Sequence, residues 1–175
     1  MIHPEAVIDI RYRPMQVADV EQVYGIDVLS FALPWSERSY RYEITENPTS
    51  RTWVAEAVDS NGQTQIVAMI IVWVILDEAH VATIAVHPDY RRRGIGQRLL
   101  AWALLDAADH GVIQVYLEVR SGNLAAQTIY ERFGFAVTGV RPGYYRDNNE
   151  DALLMTLNPL RIDILRLYAG REPAP

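Results

Sequence analysis

The sequence predicts a mixed α/β domain: a central, mostly antiparallel sheet of about seven strands flanked by four helices. Three observations carry this. The spacing of apolar residues switches repeatedly between a period of two and a period of 3.6, in the order β-α-α-β-β-β-α-β-α-β-β. Asn61-Gly62 marks a tight hairpin between two β-rich runs. A strand ending at Val86 passes through an Arg-Gly loop into a helix and then a further strand, which is a crossover connection in the middle of the chain.

The elements follow in order. Ile8, Ile10 and Tyr12 alternate with Asp9, Arg11 and Arg13 and give the first strand, preceded by a loose tail over residues 1–8. Val20, Val23, Tyr24, Ile26 and Val28 place an amphipathic helix within 17–31, and Pro34 ends it. Ser36, with Glu37 in the first turn, opens a second helix to Thr45, closed by Asn47-Pro48. Residues 52–58 and 66–76 are the two strands of the hairpin, and 79–86 is the next strand. Leu99, Leu100, Ala103, Leu104 and Ala107 line one face of a helix that Gly111 ends. Residues 112–120 form a strand, 123–133 a helix stopped by Gly134, and 135–140 and 152–157 two last strands joined by a polar, Tyr-rich loop. Residues 1–157 read as one domain and 158–175 as a C-terminal extension, apolar at Leu160, Ile164, Leu165 and Tyr168.

Composition narrows the function. The 175 residues suit one domain, and 50% hydrophobic with 22% charged residues is ordinary globular usage. A net charge of −6 argues against nonspecific nucleic-acid binding, which needs positive surface, and suits a basic partner. With no cysteine, disulfides, thiolate metal sites and cysteine nucleophiles are excluded. His3, His80, His87 and His110 have no metal-ligand spacing and read as ordinary residues, so no metal is expected. There is no signal peptide and no apolar run long enough to span a bilayer. The expectation is a cytoplasmic protein without membrane attachment, with a monomer as the default.

The densest chemistry lies in HPDYRRRGIGQRLL, from His87 to Leu100. Two glycines between a strand and a helix let the backbone approach a ligand and present N–H groups to a phosphate, and three arginines add charge. The bland alternative is a solvated Arg-rich loop. A Walker A loop is absent, because no G-x-x-x-x-G-K-[ST] string exists. The dinucleotide fingerprint G-x-G-x-x-G fails at its third glycine, which is Leu99 here, and remains a minor alternative.

The pattern formed by Arg91, Gly94 and Gly96 resembles the acetyl-coenzyme A signature of the GNAT N-acetyltransferase superfamily. The runs LEVRSGNLAAQTIYERFGF and GVRPGYYRDNNEDALLM, with PWSERSY earlier, resemble its RimI-type branch, which acetylates protein N-termini. The resemblance covers roughly residues 8–157. It implies the GNAT fold, acetyl-CoA as acetyl donor, and as acceptor the N-terminal alanine of a small-subunit ribosomal protein.

The resemblance also implies roles for particular residues. Backbone groups of Ile84, Ala85 and Val86 would pair with the pantetheine arm, and one N–H would polarise the thioester carbonyl. Arg91, Arg92, Arg93, Gly94, Ile95 and Gly96 would hold the pyrophosphate. Asn123 would contact the pantetheine besides capping its helix. Glu118 is the candidate base, on the strand face shared with Tyr116 and Arg120 and opposite Val115, Leu117 and Val119; the alternative is an ordinary Glu paired with Arg120 or solvated. Tyr130 is the candidate acid for the leaving thiolate; the alternative is a core tyrosine. Leu33, Pro34 and Trp35, with Tyr144 and Tyr145, would wall the acceptor groove. A small-molecule or lysine acetyltransferase, and a CoA-binding domain without catalysis, stand as the alternative functions.

Overall fold

A computed structural model describes residues 9–170. The chain runs β1 (Asp9–Pro14), α1 (Val20–Ser30), α2 (Glu37–Thr45), β2 (Ser50–Val58), β3 (Thr64–Ile75), β4 (Glu78–Val86), α3 (Ile95–Asp109), β5 (Gln114–Arg120), α4 (Leu124–Phe133), β6 (Ala136–Tyr145), β7 (Glu150–Leu157) and α5 (Ile162–Ala169). Short 3-10 turns, Val17–Asp19 and Pro88–Tyr90, precede α1 and the Arg-Gly loop. The loose tail expected for residues 1–8 lies outside the described residues.

All seven strands form one sheet in the order β1-β2-β3-β4-β5-β7-β6. Every neighbouring pair is antiparallel except β4 and β5. The local signals act where the sequence places them. Ser36 caps α2, its Oγ accepting from the Ser39 N–H at 3.1 Å. Asn123 caps α4 by accepting from the Ala126 N–H at 3.1 Å, and Gly134, at φ +97°, ends it in the left-handed conformation.

Helices cover both faces. One core cluster packs β2 to β5 and β7 against α3, α4 and α5, with Leu99, Leu100, Leu104, Phe133 and Leu117 buried in it. A smaller one packs β2 and β3 against α1 and α2 through Val23, Ile26, Tyr40, Met69 and Ile71. Arg51 of β2 clamps Asp106 of α3 with two hydrogen bonds of 2.7 and 2.8 Å, which also fixes α3 to the sheet.

Two expectations need correction. The sheet carries five helices rather than four, because residues read as an extension form α5. Leu165 and Ala169 of α5 are buried in the larger core cluster, and the Tyr168 ring lies 4.8 Å from that of Phe133. Replacing Leu165 by alanine leaves a cavity beside α3 and should cost about 2–5 kcal/mol. Thermal unfolding should then fall by several degrees, at roughly 2–4 °C per kcal/mol for a chain of this length. A melting temperature equal to the wild type would show that α5 does not carry core weight. Second, Tyr144 and Tyr145 lie at the end of β6 rather than in a loop. Pairing to β7 is broken between Arg141 and Tyr145, so Pro142 and Gly143 form an irregular stretch within an edge strand, where a proline is tolerated.

Candidate active site

β4 and β5 pair in parallel only over Glu78–Val81 and Gln114–Leu117. Beyond Val81 and Leu117 they part, and the sheet opens into a wedge. In an antiparallel ladder, alternate residues turn both backbone groups to the same side. The His87 N–H bonds Val67 O at 2.8 Å, near the start of β3, so Ile84 and Val86 turn theirs into the wedge. Ile84 offers both its backbone groups and Val86 its N–H to an extended chain, while Val86 O is taken by Arg91. Ala85 instead faces β3 with its backbone, and its side chain is buried under α1 and α2.

The Arg-Gly loop sits at the open end of the wedge. Gly94, at φ +74°, is the N-cap of α3 and has no side chain to satisfy the first-turn N–H groups. Gly96 follows where a Cβ would stand 3.0 Å from Val86 Cγ2, so the helix start lies hard against the end of β4. Ile95 between them is buried and anchors the turn. Arg92 also adopts positive φ, at +60°. These residues form a basic, backbone-lined cradle of the kind that holds phosphate oxygens. Arg91 is spent differently: its Nε donates to Val86 O at 3.0 Å and its Nη2 to Ser30 Oγ at 3.2 Å. It ties α1 to the end of β4. The Arg93 guanidinium lies 5.4 Å from the Tyr90 ring centroid.

The alternation of β5 divides its residues between the two faces. Val115, Leu117 and Val119 enter the larger core, and Glu118 projects to the side of α1 and α2. There its Oε2 meets His80 Nε2 of β4 at 2.5 Å, and its Oε1 lies 3.4 Å from Arg141 Nη1 of β6. The hydrogen bond from His80, opposed by partial burial and reinforced by the charge of Arg141, holds the Glu118 carboxyl below the usual carboxylate range. It is therefore ionised at neutral pH. The pairing of Glu118 with Arg120, the bland alternative, does not occur.

Tyr130 lies on the other face. Its ring is buried in the larger core beside Phe135, 5.7 Å away. Burial, with a small contribution from Tyr145, pushes its hydroxyl up to about 12, so it stays neutral. Tyr145 is itself pushed up to about 12, chiefly by burial, with Arg120 opposing and Tyr144 and Glu118 adding to the shift. The two candidate acid–base groups thus lie on opposite faces of the sheet. Asn123 stands exposed at the start of α4, its Oδ1 occupied by the cap and its amide NH₂ unused among the described residues.

The residues expected to wall an acceptor groove are held by tethers. Asp27, buried in α1, accepts the Trp35 N–H at 2.6 Å and so fixes the loop carrying Leu33, Pro34 and Trp35. Trp35 stacks on Trp73 with ring centroids 6.3 Å apart, and Trp73 lies 5.7 Å from the His80 ring. A groove of about 600 Å³ opens beside this loop, lined by Pro34, Trp35 and the residues Arg38, Tyr42 and Glu43 of α2. Leu33 projects into solvent at 70% exposure. Across the site, Arg120 bonds both Asp147 oxygens at 2.9 and 3.0 Å and Glu150 at 3.1 Å, with its guanidinium 3.9 Å from the Tyr145 ring centroid. Glu150 in turn accepts the Gly122 N–H at 2.8 Å. The Tyr144 ring meets Tyr145 edge-on at 5.2 Å.

A row of contacts therefore crosses one face: Trp35, Trp73, His80, Glu118, Arg141 and Tyr144. The sequence reading missed His80, Asp27 and the clamp by Arg120. The acidic run Asp147 to Asp151 was the visible signal for the clamp. Nothing local marks His80, whose partner is 38 residues away.

The sequence model of the acetyltransferase (GNAT) family matches residues 20–135. The chain is 36% identical over 145 residues to the ribosomal protein bS18-alanine N-acetyltransferase of Escherichia coli strain K12, spanning 82% of this chain and 93% of that protein. The crystal structure of the ribosomal-protein-S18-alanine N-acetyltransferase from Escherichia coli superposes with a TM-score of 0.76 at 33% identity, covering 87% of this chain and 96% of that one. The NatC complex bound to Gag peptide and CoA, 23% identical with a TM-score of 0.78 over 87% of this chain and 99% of that one, shares the fold.

Proposed function

The chain belongs to the acetyltransferase (GNAT) family and is an N-acetyltransferase; from that premise we propose that it moves acetyl from acetyl-CoA to the α-amino group of a protein N-terminus, the N-terminal alanine of ribosomal protein bS18. The observation that carries the reading is the parting of β4 from β5, with a phosphate cradle at its open end and Glu118 and Tyr130 on opposite faces of the sheet. The residues fit the donor. Ile84 and Val86 offer the backbone edge that an extended pantetheine needs, and the turn from Arg92 to Gly96 offers N–H groups and positive charge to the pyrophosphate. We place the reaction in the cytoplasm.

The acceptor enters from the α1–α2 side, between the Trp35 loop and Tyr144. An α-amino group has an ordinary pKa near 7.7–8.0, so most of it is protonated at neutral pH and must lose a proton before attack. Glu118 is the fixed negative charge that draws the ammonium in, and it stands where it can take part in accepting the proton. Attack is direct, in a ternary complex, because the chain has no cysteine and no activated-serine motif to carry the acetyl group. The new N–C bond forms as the C–S bond breaks, and the departing thiolate needs a proton or a hydrogen bond. The Tyr130 hydroxyl is neutral and makes no hydrogen bond to the described residues, so its O–H is available to give one. With a pKa near 12 it is a weak acid, and its main contribution is that hydrogen bond.

Tyr130→Phe isolates this contribution. Turnover should fall by about tenfold to a hundredfold, at or below the low end for acid–base groups. The affinity for acetyl-CoA and the melting temperature should hardly move, since the ring keeps its place against Phe135. A fully active variant would make Tyr130 a core residue only. The function itself is tested on peptides with acetyl-CoA, varying the first three residues and locating the added acetyl by intact mass and fragmentation. Acetyl on the α-amine of an N-terminal alanine supports the reading. Acetyl on lysine side chains or on small amines alone would replace it with one of the alternatives.

A further inference from the structure

Glu118 does not face the acceptor side by itself. Its Oε2 is engaged by His80 Nε2 at 2.5 Å, and a carboxylate cannot donate, so the hydrogen in this bond belongs to the imidazole. In the neutral ring, fixing that proton on Nε2 leaves the lone pair on Nδ1. That nitrogen makes no hydrogen bond to any described residue. The ring is held on its other side by Trp73, which is itself pinned by a hydrogen bond of 2.9 Å from its Nε1 to Glu43 Oε2. The His80 side chain is one-third exposed, on the same face as the Trp35 loop, while that of Glu118 is 15% exposed. The imidazole is thus the more accessible member of the pair, oriented by a carboxylate as a base is oriented in hydrolytic triads.

We propose that His80 is the residue that takes the proton from the incoming amine, with Glu118 fixing its tautomer and stabilising the cation it becomes. This rests on the reading of the chain as an amine acetyltransferase and names a further residue for that reaction. The chemistry favours imidazole over the carboxylate for a reason beyond placement. Imidazole is the side chain suited to accept and return a proton near neutral pH, whereas a carboxyl held below its ordinary range is a poor resting place for a proton from an ammonium. The step balances without a further reactant. One ammonium proton passes to Nδ1, directly or through one water, and the freed lone pair attacks the thioester carbonyl. The C–S bond then breaks, and a second proton from the same nitrogen ends on the thiolate sulfur. The imidazolium returns its proton to solvent. The charged groups around the ring are Glu118 from β5, Arg141 of β6 beyond it and Glu43 of α2 beyond Trp73.

The test is the pH profile of kcat/KM for His80→Gln beside the wild type, on whichever amine the wild type acetylates, with acetyl-CoA affinity measured by calorimetry. Glutamine can still donate to Glu118 but cannot take a proton. We expect a loss of about 10²-fold at pH 7 that shrinks toward pH 9, where the amine is already neutral, with acetyl-CoA affinity unchanged. His80→Ala is the second variant, and added imidazole should restore part of its activity. Wild-type kcat/KM at pH 7 in His80→Gln, or a loss equal at every pH and untouched by imidazole, would overturn the proposal. If the wild type acetylates only small amines or lysine while the His80 profile behaves as expected, the acceptor assignment fails and the pair stands.

Discussion

Gly96→Glu is expected to abolish acetyl-CoA binding in a protein that still folds. A side chain at this position starts 3.0 Å from Val86 Cγ2 and must turn outward, into the space in front of the first turn of α3. That space is where N–H groups lack a cap, because Gly94 supplies no side chain. A glutamate there satisfies some of those donors itself and interacts favourably with the helix dipole, which offsets part of the cost of its Cβ pressing on Val86. The same carboxylate repels a pyrophosphate and occupies its donors. A loss of at least about 10²-fold in affinity, close to 3 kcal/mol, is the expected size. Calorimetry on the folded variant decides it, and unchanged affinity would remove the Arg-Gly turn from the donor site.

Glu118→Gln should produce the other large effect. The amide keeps the shape and can still accept the hydrogen bond from His80, but it carries no charge to stabilise an imidazolium or attract an ammonium. Turnover at pH 7 should fall by about 10²–10⁴-fold with acetyl-CoA binding intact, and part of it should return at higher pH. Turnover close to wild type would take Glu118 out of the chemistry. The same variant carries a stability signature. Because the folded carboxyl sits below its ordinary range, its pairing stabilises the native state above that range. That contribution drains away as the pH falls through the lowered value. The gap in melting temperature between wild type and Glu118→Gln should therefore be present at pH 7 and close in acid.

The parts of the site that the sequence announced are those fixed by short-range periodicity. The strict alternation of residues 114–120 placed Glu118 opposite the core face, because a strand has only two sides. The glycines at 94 and 96 and the caps at Ser36, Asn123 and Gly134 act through their own backbone, so their meaning is local. What escaped is set by contacts distant in sequence. His80 meets Glu118 only because β4 and β5 run side by side in parallel register. Arg120 meets Asp147 and Glu150 only because β5 lies beside β7. The last helix escaped for a different reason. Ile162, Leu165 and Ala169 do recur at helical spacing, and Gly170 closes them, but eight residues give little periodicity to read. Pro142-Gly143 reads as a loop because the same residue types mark turns and the bulges of edge strands.

One irregularity in β4 governs what the rest of the strand can do. Opposite β3, Thr83 faces Ile71 and Val81 faces Val72, so Ala82 has no partner of its own. This extra residue resets the alternation. Val81, before it, and Ile84 and Val86, after it, all turn toward the α3 side, although odd and even positions in an unbroken strand would point opposite ways. Ahead of the reset, the strand presents His80 beside Glu118; behind it, the same strand turns the backbone groups of Ile84 and the N–H of Val86 away from β3. The two halves are thus written in different reading frames, with Ala82 as the spacer between them. At such a place the count of residues holds information that their identities do not. Exchanging Ala82 for another small residue alters one side chain, whereas removing it would leave a regular ladder in which Val81, Ile84 and Val86 keep their face and the local bend of the bulge is lost.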